Sequence, residues 1–467
     1  MNGALPPDRR IVVVGGGIGG LATAFRLRQR LPAARITVIE SAERWGGVVR
    51  TTREAGCVLE HGPDSILRSK PAGMALIADL GLEGEVQTTR SDARRSLIAR
   101  GDRLLPVPEG FYLLAPGRWR SFLASGLVSW PGTLRMAMDL VLPRRAADAP
   151  EESLAQLVRR RLGREALERL AQPMIGGIYT ADPEQLSIAA AMPQLARLES
   201  SHRSLILAMR ARASEEPASG ARYGLFASLR GGLGLLIERL VERLQDCDLR
   251  LATPASGITR TGDSWNITTP GGHLAAEQLV IAGPAHTAAR LLTDAAPSLA
   301  QTLASIPYAS VATINLAWPA SALSGVPLGA GFVVPAIEGC TVIAATFAHQ
   351  KYDGRVPEGH ALIRAFVGGA LHPRALAASD DDLVSQVLAD LGRWLRIASP
   401  PVLARVHRWP DAMAQYTLGH RERLAAIRAA ESELPGLALV GNGYEGVGIP
   451  DLCQQAEAAA VRLGGGG

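Results

Sequence analysis

A glycine cluster that directly follows a short apolar strand constrains the fold of this chain more than any other feature. Residues 11–14 are β-branched and apolar, which predicts a buried strand. The glycines that follow have the GxGxxG spacing: Gly15, Gly17 and Gly20. Such glycines permit a tight turn, the approach of a pyrophosphate and close helix packing, in that order. A second strand ends at Glu40, where a carboxylate can accept hydrogen bonds from ribose hydroxyls. The segment therefore predicts a dinucleotide site.

The residues after Glu40 bear on whether the dinucleotide is FAD or NAD. In the stretch ESAERWGG, Arg44 lies four residues after the acid, and Gly46 and Gly47 would let the chain turn back against the same pyrophosphate. The acid, the arginine and the glycine pair recur at this spacing in the FAD-containing amine oxidase superfamily, which the segment resembles. The resemblance implies FAD, bound noncovalently because no histidine or cysteine attachment motif is recognisable.

Two more stretches are similar to that superfamily. LEHGPDS matches the segment beside the flavin ring, where the resemblance implies that Gly62 leaves room for the isoalloxazine. Near residue 440, a strand and a glycine-rich turn precede a helix predicted to begin near Ile449. A helix N-terminus there would direct N–H groups at the flavin's pyrimidine edge and raise its oxidising power. The predicted FAD-binding residues are Gly15, Gly17, Gly19, Gly20, Glu40, Arg44, Gly46, Gly47, Gly62, Pro63, Trp409, Gly441, Asn442, Val447, Gly448 and Ile449.

Longer motifs narrow the resemblance. GGIYTADPEQLSIAAAMPQL, GAGFVVP, RWPDAMAQYTLGH and GNGYEGVGIPDLC look like segments of the oxygen-dependent, FAD-containing porphyrinogen oxidases of haem biosynthesis. The similarity extends over nearly the whole chain. That family removes six electrons from protoporphyrinogen IX or coproporphyrinogen III, uses dioxygen as acceptor and releases hydrogen peroxide. Because the flavin carries this chemistry, no protein base is required and no catalytic residue is assigned. The protein must supply a large apolar cavity.

The resemblance also implies a substrate site. Its predicted wall comprises Gly177, Ile178, Gly331, Val333 and Phe366. Ordinary core packing is the alternative for the last two, because apolar strand residues usually pack in a core.

Two residues bear on which porphyrinogen is used. Several protoporphyrinogen oxidases bind a substrate propionate with an arginine in the segment that aligns with SDARRSLIARGDRLLPVPEG. The matching position here is Ser96, and Arg95 directly before it would point to the opposite face of a strand. The resemblance favours coproporphyrinogen III, and protoporphyrinogen IX stays the alternative.

The order of predicted elements divides the chain into three parts. A discontinuous, Rossmann-like FAD-binding domain of the glutathione-reductase type is expected over residues 1–90, 219–290 and 405–467. Residues 91–218 are predicted to form a helical domain that faces the membrane and the substrate. Residues 291–404 are predicted to form a substrate-binding domain with a mixed sheet. The expected fold class is α/β with an added helical part.

Composition limits the partners. The net charge is +5 without a basic stripe, so a nucleic-acid partner is not predicted. The four cysteines are scattered without metal-ligand spacing, which predicts no metal and favours a reducing, cytoplasmic compartment. No apolar run reaches the ~18–20 residues of a membrane span. A chelatase that receives the product is a candidate partner.

A peripheral contact with the inner face of the cell membrane is predicted for residues 109–145, and packing in a helical core is the alternative. Aromatic residues beside cations suit the headgroup boundary. The residues concerned are Phe111, Arg118, Trp119, Arg120, Phe122, Trp130 and Arg135.

Two other classes share the nucleotide motifs. An amine oxidase or a carotenoid desaturase would act on amines or polyenes. Amine oxidases commonly use a lysine-linked water near the flavin, but the chain has only Lys70 and Lys351, and Lys351 is predicted to lie in a surface turn. A non-catalytic FAD-binding scaffold would be expected to have an eroded C-terminal turn, and this turn is intact. His61 is interpreted as structural, and Tyr416 as a flavin neighbour.

Overall fold

The computed structural model describes residues 9–108, 111–112, 115–116, 119–146, 148–215 and 226–465. The strands are β1 (Arg10–Val14), β2 (Arg35–Ile39), β3 (Thr51–Glu54), β4 (Cys57–Glu60), β5 (Ile66–Leu67), β6 (Val86–Thr88), β7 (Ser96–Arg100), β8 (Arg103–Pro106), β9 (Phe111–Tyr112), β10 (Ala115–Pro116), β11 (Phe226–Leu229), β12 (Asp248–Arg250), β13 (Gly257–Thr261), β14 (Ser264–Thr269), β15 (Gly272–Ala276), β16 (Gln278–Ala282), β17 (Tyr308–Pro319), β18 (Leu323–Ser324), β19 (Gly331–Val333), β20 (Val342–Phe347), β21 (His360–Gly368), β22 (Arg396–Ile397), β23 (Leu403–Ala414) and β24 (Leu437–Val440). The helices are α1 (Ile18–Arg30), α2 (Pro71–Asp79), α3 (Trp119–Ala124), α4 (Trp130–Ala137), α5 (Leu154–Arg161), α6 (Arg164–Ala166), α7 (Gln172–Tyr179), α8 (Ile188–Ala191), α9 (Pro193–His202), α10 (Leu205–Glu215), α11 (Gly234–Arg243), α12 (Ala285–Leu291), α13 (Pro297–Ala304), α14 (Ala348–Lys351), α15 (Asp380–Leu391), α16 (His420–Ser432) and α17 (Ile449–Gly464).

The first sheet is parallel, with the strand order β12-β2-β1-β16-β24. Its central strands β1 and β16 are rich in buried aliphatic residues because helices cover both faces. One face packs on α1, α2, α11 and α17. The other face packs on α12, α13, α16 and the small sheet β13-β14-β15. The turn between β1 and α1 lies at the carboxyl ends of β1 and β2. In such folds a dinucleotide binds at this edge of the sheet.

The second sheet is mixed, with the order β23-β17-β21-β20-β19-β7-β8. The pairing of β19 with β7 is parallel, and the other neighbours are antiparallel. One face is sealed by α15, and residues such as Ile314 and Val387 are fully buried there. Because side chains alternate along a strand, Thr313, Val333 and Phe366 lie on the opposite face. This large mixed sheet together with the parallel sheet confirms the α/β class.

The helical part packs around its own core, which includes residues of α4, α5, α7, α9 and α10. A fully buried ion pair between Arg161 and Asp139 holds it together. Asp139 also accepts hydrogen bonds from Ser204 Oγ at 2.6 Å and from Ile206 N at 3.0 Å, so its charge is well satisfied. Across the described ranges, no helix is both long and apolar enough to cross a membrane.

Two details of the predicted membrane segment need correction. Phe122 is buried in the helical core. Arg135 donates to the carbonyls of Arg159, Arg160 and Arg161 at the end of α5, so it is engaged in the fold. The side chains of Phe111, Arg118, Trp119 and Arg120 lie outside the described residues.

The predicted domain boundaries also differ from the structure at two places. The segment 91–218 was expected to be helical, but β7 and β8 lie in the large sheet. The strand β23 closes the other edge of the same sheet, although residues from 405 on were assigned to the FAD-binding domain. Short aliphatic runs such as SLIAR do not reveal all their partner strands, because β19, which pairs with β7, begins only at Gly331.

Candidate functional site

The turn between β1 and α1 requires glycine at two positions for the fold itself. Gly15 has a φ of +112°, and a Cβ there would lie 2.0 Å from the carbonyl oxygen of Ala282. A Cβ on Gly20 would lie 1.9 Å from the carbonyl oxygen of Gly15. The strand, the turn and the helix are therefore in backbone contact, which brings the N-terminus of α1 to the carboxyl end of the sheet.

Gly17 is different, because its Cα faces open space. A Cβ there would meet only the Cα of Gly47, at 4.0 Å. Gly17 and Gly46 form a parallel bridge, and Gly46 N donates to Gly16 O at 2.8 Å. Two glycine turns thus lie against each other beside the N-terminus of α1, where no side chain caps the helix. This bare cradle, which a side chain on Gly17 would fill, fits a pyrophosphate.

Glu40 and Arg44 brace this cradle. Glu40 accepts hydrogen bonds from Gly16 N at 2.7 Å and from Ala42 N at 2.8 Å, so its carboxylate is oriented by backbone and keeps acceptor capacity for a ribose. Arg44 Nη2 donates to Gly47 O at 2.6 Å and fixes the second glycine turn. Gly19 packs α1 against Val440, at 3.0 Å for a built Cβ, so it lies behind the cradle.

Gly62 makes a close backbone contact, and its predicted place beside the flavin stays a prediction. A Cβ on Gly62 would lie 1.8 Å from the carbonyl oxygen of Val48. The glycine is therefore required because two backbone segments touch here. Through this contact, the segment that contains Gly62 and Pro63 is fastened directly to the second glycine turn.

Trp409 joins the large sheet to the same segment. Its Nε1 donates to the carbonyl of His61 at 2.7 Å, and its ring lies 4.1 Å from that of His407 and 5.8 Å from the guanidinium of Arg44. Burial, His407 and neighbouring arginines lower the pKa of His61 to about 4. Burial and arginines likewise lower the pKa of His407 to about 4. Both rings are therefore neutral at neutral pH.

The C-terminal turn is held from inside by a tyrosine. Tyr416 Oη accepts from Gly446 N at 2.8 Å and donates to Asn442 O at 2.9 Å. Gly441 approaches Gly283 so closely that a Cβ would lie 2.2 Å from its carbonyl oxygen. The turn thus rests on the end of β16 and leads through Val447 into α17.

The helix α17 begins at Ile449, as the sequence predicts, but it carries its own carboxylate. Asp451 Oδ2 accepts from Gly448 N at 3.1 Å and caps the first turn. Lys70 forms an ion pair with the same carboxylate. The capping acid offsets part of the positive helix end. Its place at the third helical position was the available signal in the sequence.

The predicted substrate residues occupy the face of the large sheet opposite α15. Ser96 aligns with Gly331, and Val333 follows two residues later on the same face. A Cβ on Gly177 would lie 3.4 Å from Val333 Cγ1, so α7 and the sheet meet here. Ile178 is exposed on α7. The structure therefore brings these residues together at the junction of helix and sheet.

Phe366 and Arg95 lie at the margins of that junction. Phe366 is on β21, two strands from Val333, and the guanidinium of Arg364 lies 4.7 Å from the centre of its ring. Arg95 is exposed just before β7, and its carbonyl accepts from Ala330 N at 2.8 Å. The pairing of β7 with β19 is regular from Ser96 onward, so no bulge rotates the strand.

Lys351 contradicts the surface turn predicted for it. Its side chain is largely buried, and Nζ donates to both carboxylate oxygens of Asp64 and to Ser65 Oγ. Arg364 approaches the same carboxylate at 3.3 Å. Sequence reasoning missed this cluster because Asp64 and Lys351 are 287 positions apart. The residues DS at the end of LEHGPDS were the available signal.

Comparisons with known proteins agree with this geometry. The sequence profile of the flavin-containing amine oxidoreductases matches residues 18–464. The chain belongs to this family. It is 33% identical to the coproporphyrinogen III oxidase of Bacillus subtilis over 97% of both chains. It is 36% identical to that of Propionibacterium freudenreichii, covering 96% of this chain and 90% of the relative. The chloroplastic protoporphyrinogen oxidase of Nicotiana tabacum is 30% identical and covers 100% of this chain and 87% of the relative.

Solved structures agree as well. A crystal structure from Exiguobacterium sp. 255-15, provisionally named protoporphyrinogen oxidase, superposes with a TM-score of 0.87 at 31% identity over 98% of both chains. Putrescine oxidase superposes with a TM-score of 0.70 at 17% identity and shows the fold alone. This flavin-containing oxidoreductase family uses FAD, so the predicted family, cofactor and enzyme class are confirmed. The individual ligand residues stay predictions.

Proposed function

We propose that this flavoenzyme is a porphyrinogen oxidase, which removes six electrons from coproporphyrinogen III or protoporphyrinogen IX with dioxygen as acceptor and hydrogen peroxide as by-product. The observation that carries the proposal is the similarity over 97% of the chain to a protein named coproporphyrinogen III oxidase. Bound FAD supplies the two-electron oxidation itself. The remaining work of the protein is to bind, orient and enclose the tetrapyrrole.

The residues on the predicted wall suit that work. Gly177, Val333 and Phe366 present small or apolar surfaces that a flexible, largely apolar tetrapyrrole can lie against. Thr313 Oγ1, on the same face, donates to the carbonyl of His61 at 2.7 Å and is therefore occupied by the fold. The neutral His61 is bound to Thr52 at 2.7 Å. We assign neither Thr313 nor His61 a role as a base. The pyrrole N–H groups of the substrate can release their protons without one.

Coproporphyrinogen III is the proposed substrate, with protoporphyrinogen IX as the alternative. Ser96 lies on the wall face, where an arginine would bind one propionate of protoporphyrinogen, and Arg95 is exposed outside the strand. A wall without that cation selects less strictly for the number and position of the carboxylates on the substrate. This is compatible with the four carboxylates of coproporphyrinogen.

We also propose that the helical part touches a lipid surface and that the enzyme works in the cytoplasm at the inner face of the cell membrane. Trp130, Leu134, Met138 and Val141 lie at helical spacing, and their exposed fractions are 72, 69, 48 and 73%. An exposed apolar stripe on a segment with few acids suits shallow insertion between headgroups. A chelatase that receives the product would be the alternative partner for the same stripe.

The substrate proposal is tested by anaerobic mixing of the FAD-loaded protein with coproporphyrinogen III, protoporphyrinogen IX, putrescine or a carotenoid precursor. Rapid bleaching of the flavin absorbance by a porphyrinogen alone is the expected result. Bleaching by the amine or the polyene, with the porphyrinogens inert, would contradict the proposal.

The lipid proposal is tested by flotation with anionic liposomes. Wild-type protein should float at low salt, and the variant Trp130→Ser/Leu134→Ser should remain at the bottom. A variant at the edge strand of the parallel sheet, Arg250→Met, is the control and should float like wild type. Flotation of the double variant would show that the stripe does not make the contact, and binding of a chelatase by protein that never floats would favour the alternative partner.

A further inference from the structure

A buried ion cluster, formed by Asp64, Ser65, Lys351 and Arg364, has no part in the proposed chemistry. Lys351 Nζ lies 2.9 and 3.0 Å from the two Asp64 carboxylate oxygens and 2.8 Å from Ser65 Oγ. Arg364 Nη2 lies 3.3 Å from Asp64 Oδ2. The exposed fractions of the Lys351, Asp64 and Arg364 side chains are 12, 14 and 6%. Two cations share one carboxylate, so this Lys351 cluster has one excess positive charge.

The excess charge is constant around neutral pH. Burial by itself would raise the pKa of Asp64, but Lys351 and Arg364 outweigh burial and hold the pKa well below its usual range. Asp64 therefore stays ionised. Arg364 cannot lose its proton under these conditions. The cluster is a fixed charge and not a titrating switch.

Contacts at both ends place the segment that carries Asp64 between the two predicted ends of the FAD site. The segment 60–70 begins against the second glycine turn, where Gly62 touches the carbonyl of Val48. It ends at the first turn of α17, where Lys70 pairs with Asp451. Asp64 lies between these contacts. We infer that a dinucleotide extending from the Gly17 cradle toward α17 would lie beside this segment.

Arg364 ties the cluster to the same backbone. Its Nη1 donates to the carbonyl of Gly62 at 2.9 Å, while its Nε is buried without a hydrogen-bond partner in the described part of the chain. A buried arginine N–H without a hydrogen-bond partner is costly. The neighbouring buried carboxylate, Glu60, has Arg355 as its own cation, so it does not cancel the excess charge of the cluster.

We propose that the Lys351 cluster sets the midpoint potential of bound FAD through its excess positive charge. Reduction adds electrons to the cofactor, and a fixed cation in a poorly solvated site favours the electron-rich form. The cluster therefore raises the potential and makes the cofactor a stronger oxidant. Lys351 and Asp64 act as positioning residues for this charge, and the inference rests on the FAD position proposed from the cradle and α17.

The two members of one ion pair must then have opposite effects. Lys351→Met removes a cation while Arg364 keeps Asp64 ionised, so the potential should fall. Asp64→Asn removes the anion, so the potential should rise. We expect at least a tenfold change in the redox equilibrium constant in each direction, which is about 30 mV for a two-electron couple. The double variant Lys351→Met/Asp64→Asn retains one excess charge through Arg364 and should resemble wild type.

The measurement is an anaerobic titration of the FAD-loaded variants against reference dyes at pH 7, with no porphyrinogen present. A wrong substrate assignment therefore leaves the test unaffected. Arg250→Met removes an exposed cation paired with Asp248 on β12 and is the control, expected to keep the wild-type potential. Shifts of the same sign in both single variants, or no shift in either, would overturn the proposal.

The proposal can still be tested if Lys351→Met does not fold. In that case Asp64→Asn and Lys351→Arg decide, because the first should raise the potential and the second should leave it unchanged. An unchanged or lower potential in Asp64→Asn contradicts the charge effect. Loss of FAD from both would also overturn it and leave the cluster only a structural clamp.

Discussion

The nucleotide cradle and the substrate wall are built in opposite ways. The cradle comes from one continuous segment, residues 11–47, and its shape rests on glycines and on backbone contacts such as Gly46 N to Gly16 O. The wall combines α7 with separate strands of the large sheet, and its shape rests on side chains. A backbone-built site tolerates almost no change at a few positions, whereas a side-chain-built site can be retuned. The cofactor should therefore be harder to alter than the substrate.

The largest effect that this comparison predicts is at Gly17. Gly17→Val should fold, because the protein leaves its Cβ free of contacts shorter than 4.0 Å, but the side chain would fill the pyrophosphate cradle. The purified variant should have a wild-type circular dichroism spectrum and no bound FAD.

Gly15→Val is the matched control for that variant. It should lose the fold itself, since its Cβ would lie 2.0 Å from Ala282 O in a left-handed conformation, at a cost of several kcal/mol. Full FAD occupancy in Gly17→Val would show that the pyrophosphate lies elsewhere.

The second prediction concerns the histidines where cradle and wall meet. The pKa values of His61 and His407 are each lowered to about 4, against about 6.5 for an unfolded chain. Below pH 6.5 the unfolded state binds protons that the native state does not, so the free energy of unfolding falls as the pH drops to about 4 and then levels. The loss is at most about 3 kcal/mol for His61 and less for the more solvated His407.

Urea unfolding between pH 7.5 and about 4.5 measures this loss. The variant His61→Leu/His407→Phe should show a flatter dependence, because the carboxylates that remain titrate equally in both proteins. Parallel curves for the two proteins would mean that the rings are protonated in the native state.

The third prediction alters the wall. Ser96→Arg should place a cation on the wall face, and one charge-assisted contact of about 1.5 kcal/mol would shift the ratio of kcat/KM toward protoporphyrinogen IX by about tenfold. Steady-state rates with both porphyrinogens measure the ratio. Arg95→Ala should leave it unchanged because Arg95 is exposed before the strand. A changed ratio in Arg95→Ala, with none in Ser96→Arg, would assign the propionate to Arg95.

The smallest predicted effect is at the C-terminal turn. Tyr416→Phe removes two hydrogen bonds, to Gly446 N and Asn442 O, and should weaken FAD binding by about fivefold. Tyr179→Phe is the control, because it also removes a tyrosine hydroxyl, which donates to Ala191 O at 2.7 Å in the helical part. It should leave the FAD dissociation constant unchanged. Fluorescence of released FAD measures the dissociation constant of both variants. An equal loss of FAD affinity in both would show that the Tyr416 hydroxyl does not act by holding the C-terminal turn.

Sequence reasoning succeeded where a structural element is determined by residues close together in the sequence. The strand, the glycine turn and the helix start at Ile449 follow from local spacing, and the structure has them at those places. It failed where a residue's surroundings come from distant segments. Lys351 was expected at the surface because its own neighbours are polar, and only the fold brings Asp64 to it.

The same reason explains the misplaced strands and the contact of Gly62 with Val48, which the sequence did not indicate. The aliphatic residues of β7 could not indicate a partner strand at Gly331, and the approach of Val48 to Gly62 depends on tertiary structure. The tight turn at Gly15 and the close helix packing at Gly20 were correctly inferred, because both lie within one motif. The predicted place of Gly62 beside the flavin stays a prediction.

The packing of the first helix on the last one has a consequence for how the enzyme is made. Buried residues of α1 and α17, among them Leu21 and Ala456, share one core, and Arg30 pairs with Glu457, 427 positions later in the sequence. The ribosome synthesises α1 long before α17. The cradle of Gly17 therefore stays incomplete until α17 has been translated and can pack on α1. Chains that stall before Ile449 would expose the apolar face of α1 to quality control and could not capture the cofactor.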